Sequence, residues 1–417
     1  SASGLPPVWQ VGQVGQCCRL ESANDTSATG SPRERFDLGK LGHRFSLPDA
    51  GYARRTMKVV VAHNRYVSTR PSGENTIVDL EIEQLTAAGV AVVPFLRSSD
   101  EIASMPASAK AMLPLSPLYN RGSQRRLAEL LRAERPDLLH LHNPYPLLSP
   151  AVVRTAHRHG VPVVQTVHNY RQVCASGLYF RDGAVCRDCA GRAFGVPAVV
   201  HACYRGSRPQ SLLMAATLAA HRGTWRSVDR YIALTSAIAG HLGEYGIPAE
   251  RISVKPNAVP DPGPPDQRPG TGFLFAARLS EEKGLGLLLD AWRTHRDGAL
   301  GPLRIAGDGP LRPLAEAAAA ERADVEYLGQ RDAAGVRAAI RAAGCVVATP
   351  TWHDVLPTIA LEAMSCGRPV LATTMGGLPY LVGADLGPPT DPAGTDPAGT
   401  DPLAGLRDAL APPHSRR

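Results

Sequence analysis

Two runs of short apolar segments, each alternating with amphipathic segments, constrain the fold of this chain more than any other feature. The first run contains KVVVAHN, VAVVPF and PVVQTVHN, and the second contains FLFAAR, LRIAG, CVVATP and PVLATT. Strands that are apolar on both faces are typical of a parallel sheet covered by helices on both sides. The alternation therefore predicts an α/β fold with two Rossmann-like, doubly wound domains that face each other across a cleft.

Shifts in composition divide the chain into five segments. They are a leader (1–56), an N-terminal domain (57–255), a linker (256–270), a C-terminal domain (271–385) and a low-complexity tail (386–417). The leader is rich in Ser, Gly and Pro, so we predict a disordered extension or a mis-assigned start, with Met57 as the natural first residue. The linker contains PDPGPPDQRPG, and the tail repeats TDPAG.

Length and charge indicate the broad class of protein. The chain has 417 residues, is 44% hydrophobic and 20% charged, and carries a net charge of +7. This moderate charge is spread along the chain, so anionic small molecules or an acidic membrane surface are favoured over nucleic acid as partners. No apolar run approaches the roughly 18 residues of a spanning helix, and no signal peptide is evident. We predict a cytoplasmic protein, with peripheral contact to the inner face of the membrane as an alternative.

Two cations follow the first predicted strand of the C-terminal domain. In AARLSEEKGL, Arg278 ends the strand and Lys283 enters the next helix. Because the carboxyl ends of parallel strands line the binding crevice, these cations predict an anion site. The alternative is two solvated cations in a loop. The IAGDGPL segment, which contains Gly307, indicates ordinary turn chemistry when taken alone.

Glu362 lies near the start of a predicted apolar helix, TIALEAMSCG. Pro357 can open that helix, so Thr358 and Ile359 would present backbone N–H groups to a diphosphate. Glu362, one turn further on, would then accept hydrogen bonds from ribose hydroxyls, and Asp354 would face what lies beyond the phosphates. The alternative for Glu362 is an exposed carboxylate favoured by the helix dipole.

These segments resemble, in order and spacing, a known family. The motifs are ARLSEEKGLGLLLDA, RIAGDGP, DVLPTIALEAMSCGRPVLAT and GGLP, with PSGENTIVDLEIEQLTAAG, RPDLLHLHNPYP and VPVVQTVHNYRQVCASGLYFRDG in the first half. They resemble the retaining glycosyltransferases of the GT-B fold, specifically glycosyltransferase family 4 (glycosyl transferases group 1). The likeness runs from about Met57 to Gly383. It implies an acceptor domain followed by a nucleotide-sugar domain.

The resemblance implies roles for the matching residues. Those implied to be catalytic are His168, Arg278, Lys283, Asp354 and Glu362; those implied to bind the donor are Gly73, Gly307, Pro357, Thr358 and Ile359. Gly73 is expected in a glycine-bearing loop that lets backbone approach the donor. His168 would lie near the transferred sugar, with a structural histidine at the end of a strand as the alternative. Asp354 stands where the family usually has glutamate, which puts the reach of that carboxylate in doubt.

Four cysteines lie within one short stretch: Cys174, Cys186, Cys189 and Cys203. The CxxC pair has zinc-knuckle spacing, and clustered cysteines in a cytosolic chain indicate metal before disulfides. Buried free thiols and disulfides remain the alternatives. A structural zinc ion is therefore one prediction for this insertion, whereas no catalytic metal is expected, because the sequence has no DxD motif.

The function predicted from the resemblance is retaining, metal-independent transfer of a sugar. The donor would be a nucleotide diphosphate sugar, and the acceptor a glycan, a lipid-linked sugar or a small molecule, with polysaccharide biosynthesis as a setting. A degenerate or truncated transferase that binds nucleotide without catalysis is the alternative, because the tail is shorter than the bracing helices of the family. A nicotinamide-dependent dehydrogenase is disfavoured, since no G-x-G-x-x-G opens either domain. The helix SLLMAATLAAHRGTWRSV fits either membrane contact or the core.

Overall fold

The computed structural model describes residues 9–12, 56–69, 72–264 and 269–382. Of the leader it describes the strand β1 (Trp9–Gly12) and Thr56, and the prediction for the rest of the leader lies outside the described residues, as does that for the tail. No helix in the described part of the chain is both long enough and apolar enough to cross a membrane.

The N-terminal domain is a six-stranded parallel sheet with the order β3-β2-β4-β5-β8-β9. The sheet strands are β2 (Lys58–Arg65), β3 (Ala91–Ser98), β4 (Leu138–Leu141), β5 (Val163–Val167), β8 (Arg230–Ala233) and β9 (Ile252–Val254), and a separate hairpin is formed by β6 (Phe180–Arg181) and β7 (Ala184–Val185). The helices are α1 (Gly73–Ala87), α2 (Glu101–Ser104), α3 (Ala107–Met112), α4 (Arg121–Glu134), α5 (Ala151–Arg158), α6 (Val196–Val200), α7 (Arg208–Ala220), α8 (Arg222–Arg226) and α9 (Ser236–Glu244).

The C-terminal domain has the sheet order β1-β14-β13-β10-β11-β12, in which every pair is parallel except the edge pair of β1 with β14. Its own strands are β10 (Phe273–Ala276), β11 (Leu303–Ala306), β12 (Val325–Gly329), β13 (Cys345–Ala348) and β14 (Val370–Thr373). Its helices are α10 (Leu285–Arg293), α11 (Arg312–Glu321), α12 (Ala333–Ala342), α13 (Thr358–Ser365) and α14 (Leu378–Leu381). Two doubly wound sheets confirm the predicted fold class.

The strands form because their side chains are buried on both faces. All four residues of β10 and of β14 are buried, and apolar clusters pack on each side of the C-terminal sheet. Burying each of the Val, Leu and Phe side chains among them contributes roughly 1.5–3 kcal/mol. The segment predicted as one helix near residue 220 is two helices, α7 and α8, which break at His221. The α7 residues Met214 and Leu218 are buried in the domain core, which favours the core alternative over membrane contact.

The strand orders place two crevices where the chain reverses its direction of winding. In the C-terminal domain that switch lies between β10 and β13, and in the N-terminal domain it lies between β2 and β4. Ligands of open α/β sheets bind outside the carboxyl ends of the strands at such points. The two domains also touch: the Tyr170 hydroxyl donates to the His353 carbonyl (3.0 Å), and Trp352 and Val355 pack on the N-terminal core.

Candidate functional site

Lys283 is held beside the crevice of the C-terminal domain by a close backbone contact. It ends a 3₁₀ turn, Glu281–Lys283, and Gly284 follows with φ 75°. A Cβ atom on Gly284 would lie 1.7 Å from the Thr349 carbonyl oxygen, at the end of β13, so only glycine fits. The Thr351 N–H donates to the Glu282 carbonyl (3.0 Å) and ties the same two loops together. The turn after β10 is thereby fixed to the loop after β13.

The Asp354 carboxylate forms an ion pair with the Lys283 ammonium across this junction. Lys283 Nζ donates to Asp354 Oδ2 at 2.5 Å, with side chains 24% and 10% exposed, and the ammonium lies 5.4 Å from the centre of the Trp352 ring. The Gly377 N–H donates to the Asp354 carbonyl (2.7 Å), so the GGLP motif fixes the loop that carries the carboxylate. The structure therefore brings together two of the predicted catalytic residues, as an ion pair.

Arg278 lies on the same loop but pairs with a different carboxylate, that of Glu282. Its side chain is 61% exposed, whereas that of Glu282 is 8% exposed and also accepts from the Ser280 hydroxyl at 2.7 Å. Burial raises the pKa of Tyr66 in the N-terminal domain, and the Arg278 charge acts against that shift. Arg278 is thus close enough to Tyr66 to influence it, although its guanidinium does not converge with Lys283 on one group.

The N-terminus of α13 carries three further predicted residues. Pro357 is its N-cap, and Thr358 and Ile359 open the helix. The first N–H groups of a helix have no acceptor inside it, which makes this end an anion site in electrostatic terms. Burial raises the pKa of Glu362, while a hydrogen bond from Thr358 acts in the opposite direction.

Gly73 meets this helix end from the other domain. The sequence predicted a loop position for Gly73, but the residue is the first of α1. The N-cap of this helix, Ser72, accepts a hydrogen bond from the Asn75 N–H. A Cβ atom at Gly73 would lie 3.5 Å from Thr358 Oγ1. The N-termini of α1 and α13 therefore approach each other between the domains, and their dipoles favour negative charge at the same place.

Gly307 follows β11 and has φ 135°. A Cβ atom there would lie 1.9 Å from the Ala277 carbonyl oxygen, just before Arg278, and the Gly307 carbonyl accepts from the Tyr327 hydroxyl at 2.9 Å. The glycine thus allows close packing of the turns after β10 and β11. Its predicted role in binding the donor stays a prediction.

His168 follows β5 and lines a pocket of about 280 Å³ together with Glu74, His142 and Arg171. Its Nε2 lies 3.0 Å from His142 Nδ1. Burial, assisted by the charge of Lys255, lowers the pKa of His168 to about 4, so the imidazole is neutral at neutral pH. The side chain is oriented by another histidine, not simply by the end of its strand.

The four clustered cysteines lie around the β6–β7 hairpin and helix α6, and each is a partly buried free thiol, which disfavours the disulfide alternative. Burial raises the pKa of Cys189, and the other three thiols contribute to its shift. Among the described residues, three ligand atoms within 4.8 Å of one another occur at Glu81, His140 and His142, and the cysteine sulfurs do not meet this distance. The predicted zinc site therefore remains a prediction.

Sequence reasoning missed residues that the fold brings to the pocket or behind it. Glu81 was not singled out, and His142 was considered only as the first residue of HNPYPLLSP (142–150), a segment expected to shape the acceptor pocket. Glu74 was missed too: it is buried, accepts from the Tyr66 hydroxyl (3.0 Å), and burial raises its pKa. Tyr170 and Tyr179 are core residues, buried with ring centroids 4.7 Å apart.

Comparison with known families matches both halves of the chain. A family model described as "Glycosyltransferase Family 4" matches residues 71–261, and one described as "Glycosyl transferases group 1" matches residues 270–395. Together the two models span most of the sequence and meet at the predicted linker.

Curated relatives are similar over part of their length. The chain is 30% identical to the putative colanic acid biosynthesis glycosyltransferase WcaL of Escherichia coli over 39% of this chain and 43% of that protein. It is 29% identical to the D-inositol 3-phosphate glycosyltransferase of Kineococcus radiotolerans over 60% of this chain and 57% of that protein. The chain thus spans about half the length of these relatives. The sucrose-phosphate synthase of Thermosynechococcus elongatus is similar in fold, with TM-score 0.53 and 16% identity over 78% of this chain and 83% of that one.

Proposed function

Because the chain belongs to glycosyltransferase family 4 (glycosyl transferases group 1), we propose that it is a retaining glycosyltransferase. The donor is a nucleotide diphosphate sugar, and the acceptor is a hydroxyl of a glycan, a lipid-linked sugar or a small molecule. The observation that carries the proposal is the approach of two helix N-termini, at Gly73 and Thr358. Two such ends, with Lys283 on a neighbouring turn, suit a diphosphate.

The diphosphate is bound in this proposal by backbone N–H groups and by cations. The N–H groups of Thr358 and Ile359 face the phosphates, because the first turn of α13 leaves them without acceptors in the helix. Lys283 supplies positive charge where the leaving group develops negative charge, and in this proposal the exposed Arg278 guanidinium leaves Glu282 to do the same. Removing one such donor in other enzymes costs about 10²–10³ in rate. Cationic side chains, and not a catalytic metal ion, thus stabilise the leaving group.

The two acids bind the hydroxyl groups of the donor. Glu362, one turn beyond Thr358, accepts hydrogen bonds from the ribose. Burial already raises the pKa of Glu362, and a bound sugar would bury its carboxylate further. Asp354 is paired with Lys283 in the structure. As the diphosphate attracts the Lys283 ammonium, the Asp354 carboxylate becomes available to hydroxyls of the transferred sugar. Donor binding therefore exchanges one ion pair for two sets of ligand contacts.

Transfer then depends on orientation. The acceptor hydroxyl attacks on the face from which the leaving group departs, and the leaving phosphate oxygen takes its proton, so configuration at the anomeric carbon is retained. The C–O bond to the acceptor forms as the bond to phosphate breaks. Neutral His168 lies near the transferred sugar and offers a hydrogen bond without a positive charge. Correct placement of two reactants alone can supply several kcal/mol.

The acceptor is bound by the N-terminal domain, beside the insertion that carries the four cysteines. We propose that these cysteines hold one structural zinc ion once their sulfurs are drawn together, because four thiolates with a CxxC pair suit tetrahedral coordination. Zinc would then stabilise the insertion rather than take part in transfer. A setting in polysaccharide biosynthesis agrees with the name of the WcaL relative.

A screen of nucleotide sugars tests the proposal. Thermal unfolding is measured with UDP-, GDP-, ADP- and dTDP-sugars, and the donors that raise the midpoint are assayed for release of nucleoside diphosphate with glycan and lipid-linked acceptors. We expect at least one donor to give both signals, and the product to keep the anomeric configuration. A shift without release or transfer would favour the degenerate, nucleotide-binding alternative. A flat response to every donor would refute the proposal.

A further inference from the structure

Three metal-ligating side chains converge behind the pocket of the N-terminal domain. Glu81 projects from α1, His140 belongs to β4, and His142 follows that strand. His142 Nε2 lies 3.4 Å from Glu81 Oε2, His140 Nδ1 lies 3.8 Å from Glu81 Oε1, and the three ligand atoms are all within 4.8 Å of one another. The two histidine side chains are 0% and 6% exposed, and that of Glu81 is 13% exposed.

The remaining ring nitrogens of the two histidines are already engaged. His142 Nδ1 lies 3.0 Å from His168 Nε2, and His140 Nε2 lies 2.8 Å from the Thr166 hydroxyl. His142 Nε2, which is buried, has no hydrogen-bond partner among the described residues, despite its distance to Glu81. The nitrogens that face Glu81 are therefore the ones left for a ligand.

The geometry of this group suits a cation. A carboxylate oxygen of Glu81 and the ring nitrogens of His140 and His142 that face it all lie within 4.8 Å of one another. When His142 Nδ1–H donates to His168, its Nε2 lone pair faces a carboxylate, which is unfavourable unless positive charge lies between them. Lys255 Nζ, 3.2 Å from Glu81 Oε1, supplies part of that charge.

We propose that Glu81, His140 and His142 bind a divalent transition-metal ion, with Zn²⁺ as the best match, and that water completes the tetrahedron. Two imidazoles and one carboxylate are a donor set that zinc prefers, and a tetrahedral ion with bonds of about 2.1 Å separates its ligands by about 3.4 Å. The Lys255 side chain is 42% exposed and can turn to solvent as the metal binds. The hydrogen bond from His142 to His168 is then a contact that orients the ligand.

This inference does not depend on sugar transfer, and it is distinct from the cysteine site. The metal-stripped full-length chain is titrated with Co²⁺, because cobalt bound to thiolates gives an intense near-ultraviolet charge-transfer band that imidazole and carboxylate ligands do not give. We expect wild type to bind one equivalent that shows only visible d–d bands, whatever the cysteines bind. Zinc should displace it. A titration that shows no such equivalent would overturn the proposal.

Two variants and a matched control locate the metal. Glu81→Gln should weaken the imidazole-site cobalt signal at least tenfold, and Lys255→Met should strengthen binding at least tenfold by removing a competing cation. Glu74→Gln, a buried carboxylate on the same helix and outside the three-residue set, should leave the signal unchanged. Circular dichroism establishes that each variant is folded. Unchanged metal binding in Glu81→Gln, or equal or weaker binding in Lys255→Met, would contradict the assignment.

Discussion

Replacing Lys283 by methionine has two separable consequences, one for stability and one for transfer. The Asp354 carboxylate is 10% exposed, and in this variant it loses the ammonium that now lies 2.5 Å away. Removing one partner of a buried pair costs roughly 3–5 kcal/mol, but the Lys283 side chain is 24% exposed. We therefore expect the free energy of unfolding to fall by about 2–3 kcal/mol, after allowance for solvent screening.

Transfer should fall for a different reason. Without Lys283 the leaving diphosphate loses a cation, and we expect kcat/KM to fall by about 10²–10³-fold. The double variant Lys283→Met/Asp354→Asn separates the two effects, because it leaves no uncompensated charge. Its unfolding free energy should return to within about 1 kcal/mol of wild type, while its transfer rate stays low.

Urea unfolding followed by tryptophan fluorescence gives the stabilities, and initial rates of nucleoside diphosphate release give kcat/KM. Asp354→Asn alone is the matched control, since it changes the same acid but keeps the cation. If the double variant transfers sugar within tenfold of the Asp354→Asn rate, then Lys283 serves only to neutralise Asp354, and the reasoning is refuted.

Three further predictions follow from other parts of the structure. Burial raises the pKa of Glu362, so the contribution of Glu362 to stability is present at low pH and lost as pH rises. Glu362→Gln should therefore leave the unfolding free energy at pH 7 equal to that of wild type or higher. The nucleotide affinity of this variant, measured by calorimetry, should fall at least tenfold. The pKa of His168 is lowered to about 4, so the contribution of His168 to stability is present at neutral pH and lost as pH falls from about 6.5 towards 4. In His168→Gln, the pH dependence of the unfolding free energy measured in urea should therefore be weaker over that range, by up to about 1.4 kcal/mol per pH unit. Gly284→Ala should destabilise by more than about 1 kcal/mol, because its Cβ would meet a carbonyl oxygen, whereas Gly286→Ala on the same helix, where nothing lies within 4 Å, should be neutral or stabilising in thermal unfolding. A stability loss in Glu362→Gln, an unchanged pH slope, or equal effects of the two glycine changes would each contradict its prediction.

Much of the fold could be predicted because its signal is local. The apolar strands KVVVAHN and FLFAAR are buried on both faces by helices that neighbour them in sequence, and periodicity alone indicates both elements. The break between α7 and α8 was missed because it depends on tertiary contacts, with His221 Nε2 lying 2.7 Å from the Leu118 carbonyl oxygen. The pairing of β1 with β14 joins residues far apart in sequence, and no local pattern indicates it.

The site was predictable where a motif carries it and not where topology assembles it. Lys283 and Asp354 meet because β10 and β13 are neighbours in the sheet, and no local pattern in the sequence indicates that adjacency. Glu81 and His142, 61 positions apart by their residue numbers, approach because α1 packs on the sheet that contains β4. Such distant pairs require strand order, which composition and spacing leave open.

A crystal structure with the nucleoside diphosphate of the best donor tests the central claim most directly. We predict the diphosphate within hydrogen-bonding distance of Lys283 Nζ and of the Thr358 and Ile359 N–H groups, with the Glu362 carboxylate on the ribose hydroxyls. A nucleotide bound away from the N-termini of α1 and α13, with the Lys283–Asp354 pair intact and Glu362 untouched, would contradict the account.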